Sequence, residues 1–196
     1  MKRRKRKKGG FTIIELMVSM TLFIVVSLIS VGALLSIVSA DKKAQSLKSV
    51  VNNLNFAIES VSKSVRVGSS YHCRDIVGAN VPAPSALDSP RDCSSGGNLI
   101  AYEASGGDRD DPNDNIVYWQ EGDQIMRSID GGASFVGLTA PEVVITGLRF
   151  HVLNTSTSDS LQPRVVIIIR GTVDLGQKAT TKFNIQTSVS QREIDG

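Results

Sequence analysis

Residues 11–38 form a run of 28 positions that carries one charge, Glu15, where an α-helix needs roughly 20 apolar residues to cross a bilayer core. Seven consecutive Lys and Arg residues at 2–8, then Gly9 and Gly10, stand immediately before it. A secretory signal also starts with a basic head, but its apolar core is shorter and its small-residue cleavage site follows that core. Here the small residues come first. A cut after Gly10 would remove only the basic head and leave the apolar segment on the chain as a transmembrane helix. The basic head predicts a cytoplasmic N-terminus by the positive-inside rule, with residues beyond about 40 on the other side, although Lys42 and Lys43 reduce the asymmetry.

The formal charge of +3 over 196 residues rests on that head. Without its seven cations, 15 basic residues face 19 acidic ones, a net charge of −4. A basic patch for nucleic acid is therefore not what the leader signals, and nucleic acid is an unlikely partner by charge. The length allows one anchor and one modest domain. No proline occurs before Pro82, and the apolar run passes into a stripe at Leu47, Val51, Leu54, Ile58, Val61 and Val65, one face of an amphipathic helix. One helix over residues 11–67 is expected, roughly 85 Å long at 1.5 Å per residue. Its half at 11–38 is apolar all round, and its half at 39–67 needs a packing partner on one side only. The rest of this chain is the expected partner.

Gly68 with Ser69 and Ser70 ends the helix, and residues 71–97 read as a long loop rich in Pro, Ser, Asp and Gly. Short β-type runs follow at 99–103, 116–120, 124–129, 142–153, 165–173 and 182–189. Glu121-Gly122-Asp123 and Asp130-Gly131-Gly132 are hairpin signals. The run Val165-Val166-Ile167-Ile168-Ile169 is apolar on both faces and suits a central strand under the helix stripe. The fold class is α+β: a long N-terminal helix, membrane half plus amphipathic half, packed on an antiparallel β-sheet head. The divisions are a leader at 1–10, a transmembrane helix at 11–38, its amphipathic continuation at 39–67, a loop at 68–98 and the head at 99–196.

The junction Gly10-Phe11-Thr12-Ile13-Ile14-Glu15-Leu16, in register with the basic head and the long helix, resembles that of type IV prepilins and type II secretion pseudopilins. The resemblance covers residues 2–38 and implies a pilin-like fold. It implies that a prepilin peptidase cuts after Gly10 and N-methylates Phe11, and that Glu15 is the assembly carboxylate. An acid within the membrane costs a few kcal/mol on insertion scales and normally has a partner. The amine freed at Phe11 of a neighbouring subunit is a natural one. The implied partners are the peptidase, other pilins or pseudopilins through the N-terminal helix, an assembly ATPase, a platform protein and the membrane. Some major pilins interrupt the membrane half with proline; this chain has Gly32 at a comparable depth, a place for local unwinding on assembly. The expected function is a structural subunit, of minor type, in a type IV pilus or a type II secretion pseudopilus. It is anchored as a single-pass membrane protein and then carried in a cell-surface or periplasm-spanning filament. The alternatives are a filament-mounted binding, adhesion or DNA-uptake module and an unprocessed, signal-anchored surface protein.

Cys73 and Cys93 are the only cysteines. Outside the cytoplasm a disulfide is their natural use, contributing on the order of 3 kcal/mol by loop closure. A metal site using them with His72 and His151 is the alternative, without a supporting ligand spacing. Asp108, Asp110, Asp111 and Asp114 crowd a loop at 105–115, itself a candidate mobile segment. Asp108, Asp110 and Asp114 are candidate calcium ligands. Pro112 stands where an EF-hand has its third ligand, and the spacing favours a solvated turn. Tyr118 and Trp119 are expected on opposite faces of a strand, one in the core and one on the surface. Asn154-Thr155-Ser156 matches a glycosylation sequon. Hydrolase, P-loop and dinucleotide-binding motifs are absent, and no enzymatic activity is expected.

Overall fold

The computed structural model describes residues 10–78, 80–156, 161–174 and 180–192; the basic leader, except Gly10, lies outside them. The chain divides into two compact units, Met1–Gln45 and Ser46–Gly196. The helix α1 (Ile13–Val67) contributes to both. It ends where Gly68 was expected to end it, and Gly32 lies within the helix without interrupting it. In the first unit the most apolar 18-residue window has no buried residue. That is the state of a helix whose partners lie outside the chain. Three of its hydroxyls are satisfied internally: Ser19, Thr21 and Ser30 donate to the carbonyls of Glu15, Met17 and Val26 at 2.6–2.8 Å. No free donor is left to lipid at these positions.

In the second unit the helix buries Val50, Leu54, Ala57, Val61 and Val65. Leu47 and Val51, assigned to the stripe from sequence, are instead exposed, and Ile58 is only partly buried. The spacing rule tolerates either Val50 or Val51, and the packing partner selects the face that carries Val50.

Among the described residues nine strands follow, β1 (Ser69–Arg74), β2 (Cys93–Gly97), β3 (Leu99–Glu103), β4 (Ile116–Glu121), β5 (Gln124–Ser128), β6 (Val136–Gly137), β7 (Val143–Leu153), β8 (Arg164–Asp174) and β9 (Thr180–Ser190). They form two antiparallel sheets rather than one, ordered β1-β3-β4-β5-β6 and β2-β7-β8-β9. The expected meander holds within each, as β3 to β6 and as β7 to β9. The segment 71–97 is not simply a loop, since it supplies most of β1 and all of β2, one strand to each sheet, around a 3₁₀ turn at Pro84–Ala86. Neither strand has an apolar run to mark it. β2 reads Cys-Ser-Ser-Gly-Gly, and only pairing with Val152 and Phe150 of β7 makes it a strand.

One core cluster joins the buried helix stripe to Ile100, Tyr102 and Tyr118 of the first sheet and to Ile145, Phe150, Val165, Ile167 and Ile169 of the second. The other face of the five-stranded sheet is also covered. There Leu99, Ala101, Val117 and Trp119 pack with Ile76 and Leu87 from the connection between β1 and β2. Tyr118 and Trp119 are therefore both buried, which corrects the expectation that one lies on the surface. β8 is central in its sheet, as expected, with Val165, Ile167 and Ile169 turned to the core and Val166 and Ile168 half-buried.

Candidate functional site

At the start of α1 the Thr12 hydroxyl accepts a hydrogen bond from the Glu15 amide at 3.3 Å, and the Thr12 carbonyl accepts from the Leu16 amide at 3.2 Å. Thr12 is thus the N-cap, and Thr12-x-x-Glu15 has the spacing of a capping box. The helix start is encoded beside the Gly10-Phe11 step. Thr12 was not singled out from sequence, although its spacing from Glu15 was readable there. Gly10, Phe11 and Glu15 are all exposed. Phe11, Ile13, Ile14 and Leu16 surround the carboxylate as exposed apolar side chains. A negative side chain on the first turn is also favoured by the positive end of the helix dipole.

In the head, Cys73 and Cys93 are bonded to one another, with Cα atoms 5.6 Å apart. Their positions give the bond a different meaning from simple loop closure. Cys73 lies on β1 opposite Ile100 of β3, and Cys93 lies on β2 opposite Val152 of β7. β1 and β2 are the edge strands of different sheets, so the bond staples the two sheets together. The joint is reinforced by Arg91, whose amide donates to the Tyr71 carbonyl at 2.9 Å and whose carbonyl accepts from the Cys73 amide at 3.0 Å. Oxidised cysteines cannot ligate a metal, which removes the alternative with His72 and His151. His72 is instead a buried ring with Nδ1 2.7 Å from the Ser89 carbonyl. Its pKa is lowered mainly by burial and further by Arg91 and Arg74, against the raising effect of the Ser89 contact.

The acidic loop is a run of turns tied by its own carboxylates. Asp114 accepts from the Asp108 amide at 2.8 Å, Asp108 from the Asp110 amide at 3.1 Å, and Asp111 from the Asn113 amide at 3.0 Å. Among the described residues no group of three or more His, Cys, Asp or Glu side chains is placed to hold a metal ion. Beneath this loop sits a group that sequence reasoning missed, Glu103. It closes the fully buried strand β3, is 4% exposed, and has Oε1 buried without a hydrogen-bond partner. Burial raises its pKa, as do the charges of Asp114, Asp88 and Asp108, with Arg109 pulling the other way. Nothing local in the sequence marks a glutamate covered by a loop that follows it. The sequon asparagine, Asn154, has a left-handed backbone (φ 60°), and its amide donates to Asp92 at 3.1 Å.

Residues 5–40 match the family described as the prokaryotic N-terminal methylation motif. No curated protein and no solved structure matches the chain. The matched span begins in the basic leader and covers Gly10, Phe11, Glu15 and the exposed apolar part of α1.

Proposed function

We propose that this chain, which carries the type IV prepilin and pseudopilin signature at residues 5–40, is a structural filament subunit of minor type in a pilus or a type II secretion pseudopilus. Prepilin peptidase cuts after Gly10 on the cytoplasmic side and N-methylates Phe11. The processed helix is then drawn from the bilayer into a bundle of like helices by an assembly ATPase and its platform protein.

The observation that carries this reading is the coincidence of the motif with a helix start whose apolar side chains are all exposed around a single carboxylate. In lipid, and equally in a helical bundle, those side chains meet apolar partners. Glu15 does not, unless it pairs with a cation. Cutting after Gly10 creates an amine on Phe11, four residues before Glu15. A neighbouring subunit offset along the filament axis can bring its amine to this carboxylate, so one axial stagger is favoured over others. The same cut changes the chain from +3 to −4 and removes the cations that hold the N-terminus at the cytoplasmic face.

The deciding experiment is mass spectrometry of the N-terminal peptide from protein extracted from membranes. A peptide beginning at N-methylated Phe11 supports processing. A peptide beginning at Met1, in cells with an active prepilin peptidase, supports an unprocessed signal anchor and removes the filament reading.

A further inference from the structure

The outward face of the four-stranded sheet holds a half-open polar recess of about 600 Å³ whose lining includes Arg149, Arg170 and His151 and, among the described residues, no carboxylate. The volume suits a small organic ligand. In a chain that is net acidic without its leader, a recess lined by two guanidinium groups and an imidazole is a local reversal of charge.

The cavity is made by a defect in a strand. β7 and β8 lose register between Ile145 and Gly147, where Gly147 pairs with Arg170. Gln120 of β4 braces the bulge: its Oε1 accepts from the Leu148 amide at 3.0 Å and its Nε2 donates to the Ile145 carbonyl at 3.0 Å. Bulges re-aim the side chains beside them. Gly147 leaves a gap at the floor, since a Cβ there would meet only the Cβ of Arg170, at 4.0 Å. Asn98, also in the lining, is spent on the backbone of Ile76 through both its side-chain groups at 2.8 Å. The wall is therefore held by groups already satisfied, while Ser95 and Thr146 bring hydroxyls and Arg170 brings a cation with no ion-pair partner among the described residues. The Nδ1 of His151 lies 2.9 Å from the Ser94 carbonyl, which leaves Nε2 for a ligand. Arg149 bonds Asp75 at 3.0 Å, but both side chains are about half exposed, and such pairs are weak enough to be exchanged.

We infer that this cavity binds a small hydroxylated anion, a sugar acid or a sugar phosphate, with Arg170 and Arg149 taking the carboxylate or phosphate and His151, Ser95 and Thr146 taking hydroxyls. Guanidinium groups match both anions through paired N–H donors. The apolar side of Ile168 offers a sugar ring a surface to rest on.

Titration calorimetry on the full chain in a non-ionic detergent, with glucuronate, glucose 6-phosphate and neutral glucose as probes, tests this. Saturable binding of either anion, and not of glucose, is expected; which anion binds decides between carboxylate and phosphate. Arg170→Gln should weaken that binding at least about tenfold, the loss of a charge-assisted bidentate contact. Asp75→Asn should strengthen it by releasing Arg149. Gly147→Val, which fills the recess where there is space for a Cβ, should abolish binding without lowering the melting temperature. The inference is overturned if neither anion binds up to about 10 mM, weaker than any affinity of interest. It is equally overturned if glucose binds as well as the anions, or if Arg170→Gln binds as the unaltered chain does.

Discussion

Tyr71 stands beside the C-terminal end of α1, its hydroxyl 2.6 Å from the Val65 carbonyl and 2.7 Å from that of Gly68. The Val65 carbonyl also accepts from the Gly68 amide, at 3.3 Å, but helix-end carbonyls lack intrahelical donors, and a buried carbonyl that loses a donor costs about 1–3 kcal/mol. Tyr71→Phe keeps the ring beside Tyr102, 5.8 Å away, and removes only the donor. It should lower the melting temperature by several degrees in thermal unfolding of the detergent-solubilised chain. Glu103 makes the opposite case. Its raised pKa means that the native state holds the proton more tightly than the unfolded chain does. The stability it contributes is complete below the ordinary carboxylate range and is lost as pH rises through its raised native value. Glu103→Gln should therefore melt higher than the unaltered chain at about pH 7, with the gap closing towards about pH 4. An equal gap at both pH values would show that ionisation is not the cause. Gly10, Phe11 and Glu15 could be singled out from sequence because the motif that spans them is contiguous. Glu103 could not, because its burial comes from residues that follow it in the chain and fold back over it.

Among the elements, α1 shows what periodicity can and cannot do. An apolar run with one charge marks residues 11–38 as long enough to cross a membrane without reference to anything else, whereas the stripe beyond needs a partner to choose its face. Leu54→Ala, at a position 5% exposed, should cost about 2–4 kcal/mol through the lost transfer energy and the cavity left behind. Leu47→Ala, on a residue expected in the stripe but found exposed, should cost under about 0.5 kcal/mol. Denaturant titration of the two variants separates them. The disulfide belongs here too, because it joins edge strands of two sheets. Replacing both Cys73 and Cys93 with Ala should destabilise the head by about 3 kcal/mol in the chain-entropy treatment, measurable in the same titration. The paired strands β1 and β2 were hidden in sequence by their Ser, Gly and Cys content. Tyr118 and Trp119 were misjudged because strand alternation says which residues share a face, not how many faces are covered.

For the molecule as a whole, the first unit keeps its apolar side chains exposed while the second buries most of its own. Glu15→Ala should yield a processed, membrane-inserted chain that is missing from sheared filaments by immunoblot; normal incorporation would refute the assembly role. The melting temperature of the head should not move, since Glu15 lies in the first unit and the head in the second. The methylation motif at residues 5–40, the long apolar helix ending at Gly68 and the α+β class were determined by the sequence alone, because each depends on neighbours within a few positions or on a sustained period. The division into two sheets, the disulfide as their staple, the face of α1 that is buried, the covered Glu103 and the cavity at the β7 bulge were decided only by tertiary structure. Each of these joins residues tens of positions apart, and a local pattern carries no information about which distant surface will come to cover it.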